Sequence, residues 1–271
     1  MAIIRISDLE DPRLAPYTSI REKDLTKGHG GRFIVEGKVT LATLVQRSSF
    51  EIESLFLTES RLQPLSNLIE DLPGHVPIFV AAQSLMDHVA GFPVHRGVLA
   101  CGVKGVPLGM EEVLRTSKTI LVLIGLSNHD NVGACFRNAT AFGADAILLD
   151  DQSCGPLYRK SIRVSAGTAL TLPFVYGSSA QGIFQSVSRA GFDLWCLTPR
   201  LEATPISRLT RPDKLALVLG SEGPGLSDDL LGQGTPVRIP MVDDFDSINV
   251  ATAGAIALSQ VFKHFQAHGV P

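Results

Sequence analysis

The sequence predicts an α/β protein in which a small α/β domain precedes a larger domain built on a parallel sheet. One observation is that strand-like and helix-like patterns alternate along most of the chain. Another is that runs in the second half, such as TILVLIG at 119–125, are apolar without interruption, which is typical of strands buried on both faces of a parallel sheet. A chain of 271 residues is also long enough for two domains with separate cores.

The first half predicts a compact unit of short strands and helices. In chain order we expect a strand at 33–37 (FIVEG), a helix through Val39, Leu44 and Val45, strands at 52–58 and 76–82, a helix ending at Gly91, and a strand at 97–103. Pro and Gly interrupt the pattern at 104–117, which makes this segment the best linker candidate. We therefore place the first domain at 1–106, a linker at 107–117 and the second domain at 118–271.

The second half predicts a layered domain in which strands and helices alternate. After the strand at 119–125, Val132, Phe136 and Ala139 form one apolar face of a helix, and Gly143 follows where a left-handed residue would end that helix. Further strands are expected at 146–151, 192–197, 215–220 and 237–241, and a closing helix from about Asn249 to His264.

Composition narrows the class of protein. Apolar residues make up 45% of the chain, but no apolar run approaches the roughly 20 residues that a bilayer-spanning helix needs. Charges at Arg5, Asp8 and Glu10 interrupt any apolar core of a secretory signal, so we expect a soluble cytoplasmic protein. The four cysteines form no C-x-x-C pair, which indicates reduced thiols.

No metal site is expected. His264 and His268 have the spacing of a zinc-binding pair on a helix, but the Glu of H-E-x-x-H is missing. Two histidines near the end of a helix are explained more simply by its dipole. A G-x-S-x-G elbow is also missing, so an acyl-transfer hydrolase has no anchor in the sequence.

A helix in the second half carries the first chemical motif. Gly133, Arg137 and Thr140 lie on the face opposite its apolar stripe, so Arg137 is expected to point away from the core. A lone Arg on a helix is usually a solvated charge. However, Asn131-x-Gly133-x-x-x-Arg137, followed by Ala-Phe-Gly at 141–143, resembles the first motif of SpoU/TrmH-type RNA ribose 2'-O-methyltransferases of the SPOUT superfamily. The resemblance implies that Asn131 and Arg137 lie at the active site; Asn138 departs from the Thr common there.

A dinucleotide-binding site is the rival interpretation of this region. A strand, a helix and a strand ending at Asp150 and Asp151 could place an acid on a ribose. Gly125 and Gly133 do not match the G-x-G-x-x-G spacing that such sites need. A nicotinamide-dependent oxidoreductase is therefore the weaker alternative, and the cofactor that binds would distinguish it.

Two further motifs follow in the order that this family has. LALVLGSEGPGLS at 215–227 places a Gly-rich loop directly after a buried strand, where a ligand can approach the backbone. It resembles the second motif, which implies a cofactor contact at Leu219 and Gly220 and an active-site role for Glu222. An exposed turn with a solvated carboxylate is the plain alternative.

The third motif is VRIPMVDDFDSINV at 237–250. Its resemblance implies that Ile239, Pro240 and Ile248 form part of the cofactor pocket, while Ser247 and Asn249 face the reacting ribose. Ser and Asn at a helix start are also ordinary N-caps, and both interpretations can hold together. The acidic VDDFD segment is unusual for the family.

The resemblance implies S-adenosylmethionine as cofactor, a C-terminal trefoil knot and a homodimer. FIVEG at 33–37 and HRGVLA at 95–100 resemble the ribosomal-protein-L30-like domain that precedes many rRNA-modifying members. RNA contacts are then expected at Lys27, Arg32, Arg163 and Ser165, although a strand and turn explain the segment 157–170 equally well.

Charge is the main argument against a nucleic-acid partner, because Lys and Arg contacts to phosphate normally dominate such affinity and the net charge is −3. Local basic clusters, at 27–32 and 159–163, weaken that argument. The expected function is methyl transfer to a ribose 2'-hydroxyl, most readily of rRNA. The alternatives are a tRNA ribose methyltransferase and a catalytically silent RNA-binding or ribosome-assembly protein.

Overall fold

A computed structural model describes residues 2–20, 31–242 and 245–267, with side chains described as far as Phe262. The predicted α/β class is confirmed. In the described residues the strands are β1 (Ile3–Arg5), β2 (Arg32–Glu36), β3 (Glu51–Thr58), β4 (Ile78–Ala81), β5 (Val98–Val103), β6 (Thr119–Leu123), β7 (Ala146–Asp150), β8 (Phe174–Ser178), β9 (Asp193–Leu197), β10 (Thr204–Pro205), β11 (Leu215–Leu219) and β12 (Thr235–Arg238).

The α-helices of the same residues are α1 (Lys38–Arg47), α2 (Glu59–Leu62), α3 (Ser66–Glu70), α4 (Gln83–Ala90), α5 (Met110–Thr116), α6 (His129–Ala141), α7 (Arg159–Val164), α8 (Ala180–Arg189), α9 (Asp228–Leu231) and α10 (Val250–Ala267). Short 3-10 helices lie at Pro12–Tyr17, Gln63–Leu65, Thr168–Leu170 and Ile206–Arg208. None of the described helices is both long and apolar enough to cross a membrane.

The chain forms two compact units, of which the first comprises Met1–Val106 and Leu157–Thr171. Its sheet has the strand order β1-β4-β3-β5-β2, with β1, β4 and β3 parallel and β5 antiparallel to both of its neighbours. Apolar side chains fill both faces of this sheet, around Leu41 and Leu44 on one face and around Tyr17 and Phe56 on the other.

The segment 157–171 belongs to this first unit, although the sequence assigns it to the second domain. Ile162 of α7 is fully buried and Leu170 is 2% exposed, and both pack in the core with Leu41 and Leu44. The buried carboxylate of Glu36 pairs with Arg159 and lies 3.9 Å from the Arg163 guanidinium. Apolar positions of a segment do not reveal which core will bury them, so only long-range packing could show this placement.

The structure differs from two interpretations of the sequence, the strand-and-turn alternative for 157–170 and the linker at 107–117. Residues 157–170 form α7 and a 3-10 helix rather than a strand and turn. Residues 107–117 are not a free linker, because they contain α5, whose Val113 and Leu114 are buried in the core of the second unit. Pro107 and Gly109 precede this helix, so the turn residues mark its start rather than an unstructured connection.

The second unit comprises Pro107–Pro156 and Leu172–Pro271 and contains the parallel sheet. Its strand order is β10-β12-β9-β11-β6-β7-β8, and every neighbouring pair is parallel. The five residues of β6 and of β11 are all buried, as their uninterrupted apolar runs predict. These two strands pair in register from Thr119 and Leu215 to Leu123 and Leu219, so the loops that follow them leave the sheet side by side.

Helix α6 ends where its sequence predicts, and Asn128 caps its start. The side chain of Asn128 accepts a hydrogen bond from the Asp130 amide at the helix start, and Gly143 adopts a left-handed φ of 69° just after the end. Its buried face includes Val132, Phe136 and Ala139. The helix therefore presents Arg137, which is exposed, away from the core.

Replacing Ile162 with Ala tests the placement of the segment 157–171. Because Ile162 is fully buried in the first unit's core, we expect Ile162→Ala to lower the free energy of unfolding by about 2 to 5 kcal/mol. Val39→Ala, at a residue 60% exposed on α1 of the same unit, should change it by no more than about 0.5 kcal/mol. Denaturant unfolding measures both variants, and equal stability of the two would contradict the placement.

Candidate active site

A cavity of about 380 Å³ opens at the carboxyl ends of β9, β11 and β12 in the second unit. Its walls come from Leu197–Pro199 after β9, from the loop that follows β11, and from residues between Val237 and Ala253. Ligands of parallel α/β sheets bind at this edge, because the strand-to-helix loops converge there. The second and third motifs therefore meet at one cavity.

The Gly-rich loop after β11 requires glycine for steric reasons. A Cβ at Gly220 would lie 2.5 Å from the carbonyl carbon of Gly225 and 2.5 Å from the Leu226 nitrogen, both backbone atoms that cannot move aside easily. Gly223 and Gly225 have φ values of 104° and 69°, in the region that favours glycine. The loop folds back on itself, and it brings bare backbone to the cavity wall.

The closing helix packs close to the same strand. A Cβ at Gly254 would lie 2.9 Å from Cδ1 of Leu219, so a larger residue there would have to displace the Leu219 side chain. Asn249 directly precedes this helix, and its Oδ1 accepts hydrogen bonds from the amides of Ala251 at 3.0 Å and Thr252 at 3.2 Å. The predicted N-cap at Asn249 is thus present in the structure.

Three polar side chains, one from each motif, form a continuous hydrogen-bond chain. The Nδ2 of Asn249 donates to Oδ1 of Asn131 at 2.9 Å, and the Nδ2 of Asn131 donates to Oε1 of Glu222 at 2.7 Å. A carboxylate only accepts and backbone amides only donate, so the two ends of this chain determine the orientation of both amide groups. Glu222 and Asn249 line the cavity, and Asn131 connects them.

Burial and the negative charge of Glu222 raise the pKa of two nearby cysteine thiols. Burial, with a smaller contribution from the negative charge of Glu222, raises the pKa of Cys135, on α6, to about 12. Cys154 has a pKa of about 11 for the same two reasons, of which burial is the larger. All four cysteines are free. The Cys135 and Cys154 thiols therefore remain protonated near neutral pH, and neither is a candidate nucleophile.

Arg137 is exposed and has no hydrogen-bond or ion-pair partner within the described part of the chain. The next residue, Asn138, donates from Nδ2 to the carbonyl of Ala251 at 2.9 Å and so connects α6 with the start of α10. Ser247 lines the cavity and is exposed. The structure therefore joins Asn131, Glu222 and Asn249 directly and leaves the Arg137 charge free.

The residues predicted to bind a cofactor lie mostly at the cavity. Leu219, Gly220, Ile239 and Ile248 line it, whereas Pro240 is exposed and is not part of its wall. The two neighbours of Pro240 in the sequence, Ile239 and Met241, both line the cavity.

The residues predicted to bind RNA have different surroundings in the structure. Lys27 lies outside the described residues. Arg32 pairs with Glu53, and Arg163 lies near Glu36, as described above. Ser165 is fully buried, and its hydroxyl donates to the Ile162 carbonyl at 2.9 Å. An RNA contact by Ser165 is therefore ruled out in this conformation, because its hydroxyl is used inside the helical turn.

Sequence reasoning missed one wall of the cavity, which is formed by Leu197, Thr198 and Pro199. These residues follow β9, which lies beside β11 in the sheet. The rule that ligands bind at carboxyl ends of parallel strands could have found them, but only with the strand order known.

No group of His, Cys, Asp or Glu among the described residues could hold a metal ion. The side chains of His264 and His268 lie outside that description. Asp150, the acid of the rival nucleotide-binding interpretation, is 2% exposed and accepts hydrogen bonds from backbone amides, so it does not face a ligand.

The parallel sheet has a largely apolar cavity at its carboxyl edge, with glycines in the cavity wall. The hydrogen-bonded chain of two amides and a carboxylate borders this cavity. These features define an α/β domain that binds a small molecule beside a polar reaction site. The SpoU rRNA Methylase family model matches residues 118–259, just over half of the chain. The chain belongs to this family.

Relatives extend this similarity beyond the matched region. An "uncharacterized tRNA/rRNA methyltransferase" of Mycobacterium tuberculosis (strain ATCC 25618 / H37Rv) is 34% identical, over 93% of this chain and 89% of its own. The 23S rRNA (guanosine-2'-O-)-methyltransferase RlmB of Haemophilus influenzae is 31% identical, over 76% of this chain and 85% of its own.

Among solved structures, the SpoU methyltransferase AviRb from Streptomyces viridochromogenes, in complex with the cofactor AdoMet, superposes with a TM-score of 0.79. It is 19% identical and covers 96% of this chain and 100% of its own. This similarity shows a shared fold over both units.

Gly220→Ala tests the close approach in the Gly-rich loop. Because the added methyl would overlap the backbone at Gly225 and Leu226, we expect a loss of about 1 to 3 kcal/mol in unfolding free energy. Gly155→Ala is the matched control in the same unit, since a Cβ there would meet nothing within 4 Å. Denaturant titration compares them; an unchanged Gly220→Ala midpoint would mean that the loop relaxes freely.

Proposed function

We propose that this protein transfers the methyl group of S-adenosylmethionine to a ribose 2'-hydroxyl of RNA. The observation that carries this proposal is the chain of hydrogen bonds from Asn249 through Asn131 to Glu222, which joins all three motifs at the border of the cavity. Polar groups fixed in one orientation next to an apolar ligand cavity suit a reaction whose main requirement is alignment.

The cavity fits the cofactor. Its volume of about 380 Å³ lies in the range of small-molecule sites, and apolar side chains such as Leu219, Ile239 and Ile248 suit an adenosyl group. Because Gly220 has no side chain, its backbone is accessible at the cavity wall. A Cβ at this position would already collide with the loop. When bound, the cofactor supplies an electrophilic methyl on a sulfonium and leaves as a neutral thioether.

The residues of this chain would prepare the attacking hydroxyl. Asn131, Ser247 and Asn249 would orient the ribose, and Glu222 would keep the Asn131 amide in place by accepting its hydrogen bond. Preorganised donors of this kind need not reorient as charge develops on the reacting oxygen. The hydrogen-bond chain thus joins the first turn of α6, the loop after β11 and the residue before α10.

Arg137 would bind the neighbouring phosphate and stabilise alkoxide character on the 2'-oxygen. An Arg side chain remains protonated under ordinary conditions, so electrostatic stabilisation is a better role for it than general-base catalysis. Its exposure and the lack of a partner in the described residues support this role, since no protein carboxylate there neutralises the charge. Arg32 and Arg159, by contrast, are already engaged by Glu53 and Glu36.

Ribosomal RNA is the substrate that we favour over tRNA. Support comes from the family's description and from the relative named a 23S rRNA (guanosine-2'-O-)-methyltransferase. In the first unit, Arg32 and Arg163 have side chains that are 44% and 42% exposed, so both can also face a phosphate backbone. A cytoplasmic location would suit this substrate.

We extend the proposal to a trefoil knot and a homodimer. The path of the chain supports the knot, because β12 lies beyond β9 at one side of the sheet while the following helix α10 packs against α6 and β11. The dimer rests on the family resemblance, and sedimentation of the purified protein would test it directly.

The activity is tested with Arg137→Ala, radiolabelled S-adenosylmethionine and total RNA from cells that lack the protein. Wild type should label one nucleotide, and the label should survive in an alkali-resistant dinucleotide, because a 2'-O-methyl group blocks strand cleavage. We expect Arg137→Ala to lower the rate by about 100-fold or more, as removal of a transition-state charge contact does.

Arg189→Ala serves as the matched control, because Arg189 is an exposed Arg on α8 of the same unit and should tolerate the change. Equal rates for Arg137→Ala and wild type would refute the role of Arg137. Tight cofactor binding without transfer to any RNA would instead favour a silent RNA-binding or assembly protein.

A further inference from the structure

Asp150, the last residue of β7, is a buried carboxylate that the proposed mechanism does not use. It is 2% exposed, and its Oδ1 accepts hydrogen bonds from the Gly125 amide at 2.9 Å and the Ser153 amide at 2.9 Å. The Ser153 hydroxyl also donates to this oxygen, at 2.6 Å. One carboxylate oxygen therefore joins the loop after β6 to the loop after β7.

Further hydrogen bonds strengthen this junction. The Ser153 hydroxyl oxygen accepts from the Leu126 amide at 3.0 Å, and the Leu126 carbonyl accepts from the Cys154 amide at 2.8 Å. The Tyr176 hydroxyl, on β8, donates to the Ser153 carbonyl at 3.1 Å. The backbone N–H and C=O of Leu126 are thus both hydrogen-bonded to the loop after β7, which Asp150 holds in place.

The segment held in this way leads directly into the first motif. Asn128 caps α6, and Asn131 lies in the first turn of that helix. Gly125 has a left-handed φ of 67°, and a Cβ there would lie 3.3 Å from the Cβ of Ser221, the neighbour of Glu222. Gly125 is therefore packed between Asp150 on one side and the Gly-rich loop on the other.

We propose that Asp150 is a positioning residue for methyl transfer: it holds the loop 125–128 so that Asn131 reaches both Glu222 and Asn249. This inference rests on the proposed function. The cavity wall contains no residue of 125–131 or 150–154, so Asp150 acts through Asn131 and does not itself form part of the cofactor pocket. Loss of its carboxylate should therefore lower kcat and leave cofactor affinity unchanged.

The same sheet provides a matched control at its other end. The Oδ2 of Asp145 accepts hydrogen bonds from the amides of Lys118 at 2.7 Å and Thr119 at 2.8 Å, at the amino end of β6. Asp145 and Asp150 thus each bind backbone amides, at opposite ends of β6. Only Asp150 does so next to the first motif.

The kinetic experiment compares Asp150→Ala, Asp150→Asn and Asp145→Ala with wild type, with S-adenosylmethionine affinity and single-turnover transfer to the RNA measured for each. We expect Asp150→Ala to lower the transfer rate at saturating cofactor by about tenfold or more, with a cofactor Kd within about twofold of wild type. Asp150→Asn should recover part of the rate, because an amide oxygen still accepts from Gly125 and Ser153. Asp145→Ala should keep the wild-type rate.

A spectroscopic readout does not depend on activity. The chain has five asparagines, so selective 15N-asparagine labelling yields a small set of side-chain amide signals, assigned by single substitutions. Asp150→Ala should shift or broaden the Asn131 and Asn249 side-chain signals, and Asp145→Ala should leave them in place. If Asp150→Ala does not fold, Ser153→Ala replaces it, since this variant removes the hydroxyl that accepts from Leu126 and keeps the carboxylate.

Several outcomes would overturn the inference: unchanged Asn131 signals, equal rates for Asp150→Ala and Asp145→Ala, or an Asp150→Asn rate no higher than that of Asp150→Ala. A reduced cofactor affinity with unchanged kcat would also overturn it. If wild type transfers no methyl to RNA, the proposed function fails, while the labelled-asparagine signals still decide whether Asp150 positions Asn131.

Discussion

The hydrogen-bond chain Asn249–Asn131–Glu222 is the interaction on which the rest of the site depends. Its members are far apart in sequence: Asn131 lies in the first turn of α6, Glu222 in the loop after β11 and Asn249 just before α10. Because Glu222 can only accept and the amides at the start of α10 can only donate, the chain has a single consistent polarity. A satisfied polar network of this kind specifies one arrangement of these three segments, whereas apolar contacts alone would tolerate several.

Close backbone packing makes this chain geometrically feasible. Gly220 allows the second-motif loop to fold against itself, and Gly254 allows α10 to lie against Leu219. The in-register pairing of β6 with β11 then places the first and second motifs side by side. The two glycines have the same effect. They allow backbone and short polar side chains to come within hydrogen-bond distance at the edge of an apolar cavity.

Local pattern was sufficient where one short stretch of chain determines its own structure. The buried strands β6 and β11, the end of α6 at Gly143 and the cap at Asn249 follow from hydrophobic runs and capping rules. The same reasoning failed for 157–171 and for α5, because an apolar segment bounded by turn residues does not reveal which core receives it. Ser165 illustrates the limit for sites: a hydroxyl that resembles a ligand contact is consumed inside its own helical turn.

By itself, the sequence determined the α/β class, the three motifs and their order, and it thereby indicated which residue types would do the chemistry. Tertiary structure alone decided that Asn131 connects Glu222 to Asn249, that Leu197–Pro199 complete the cavity, and that Asp150 serves the loop before α6 rather than a ligand. The physical reason is that periodicity and capping depend on neighbours within a turn or two, whereas strand order and loop contacts depend on which distant segments bury the same surface.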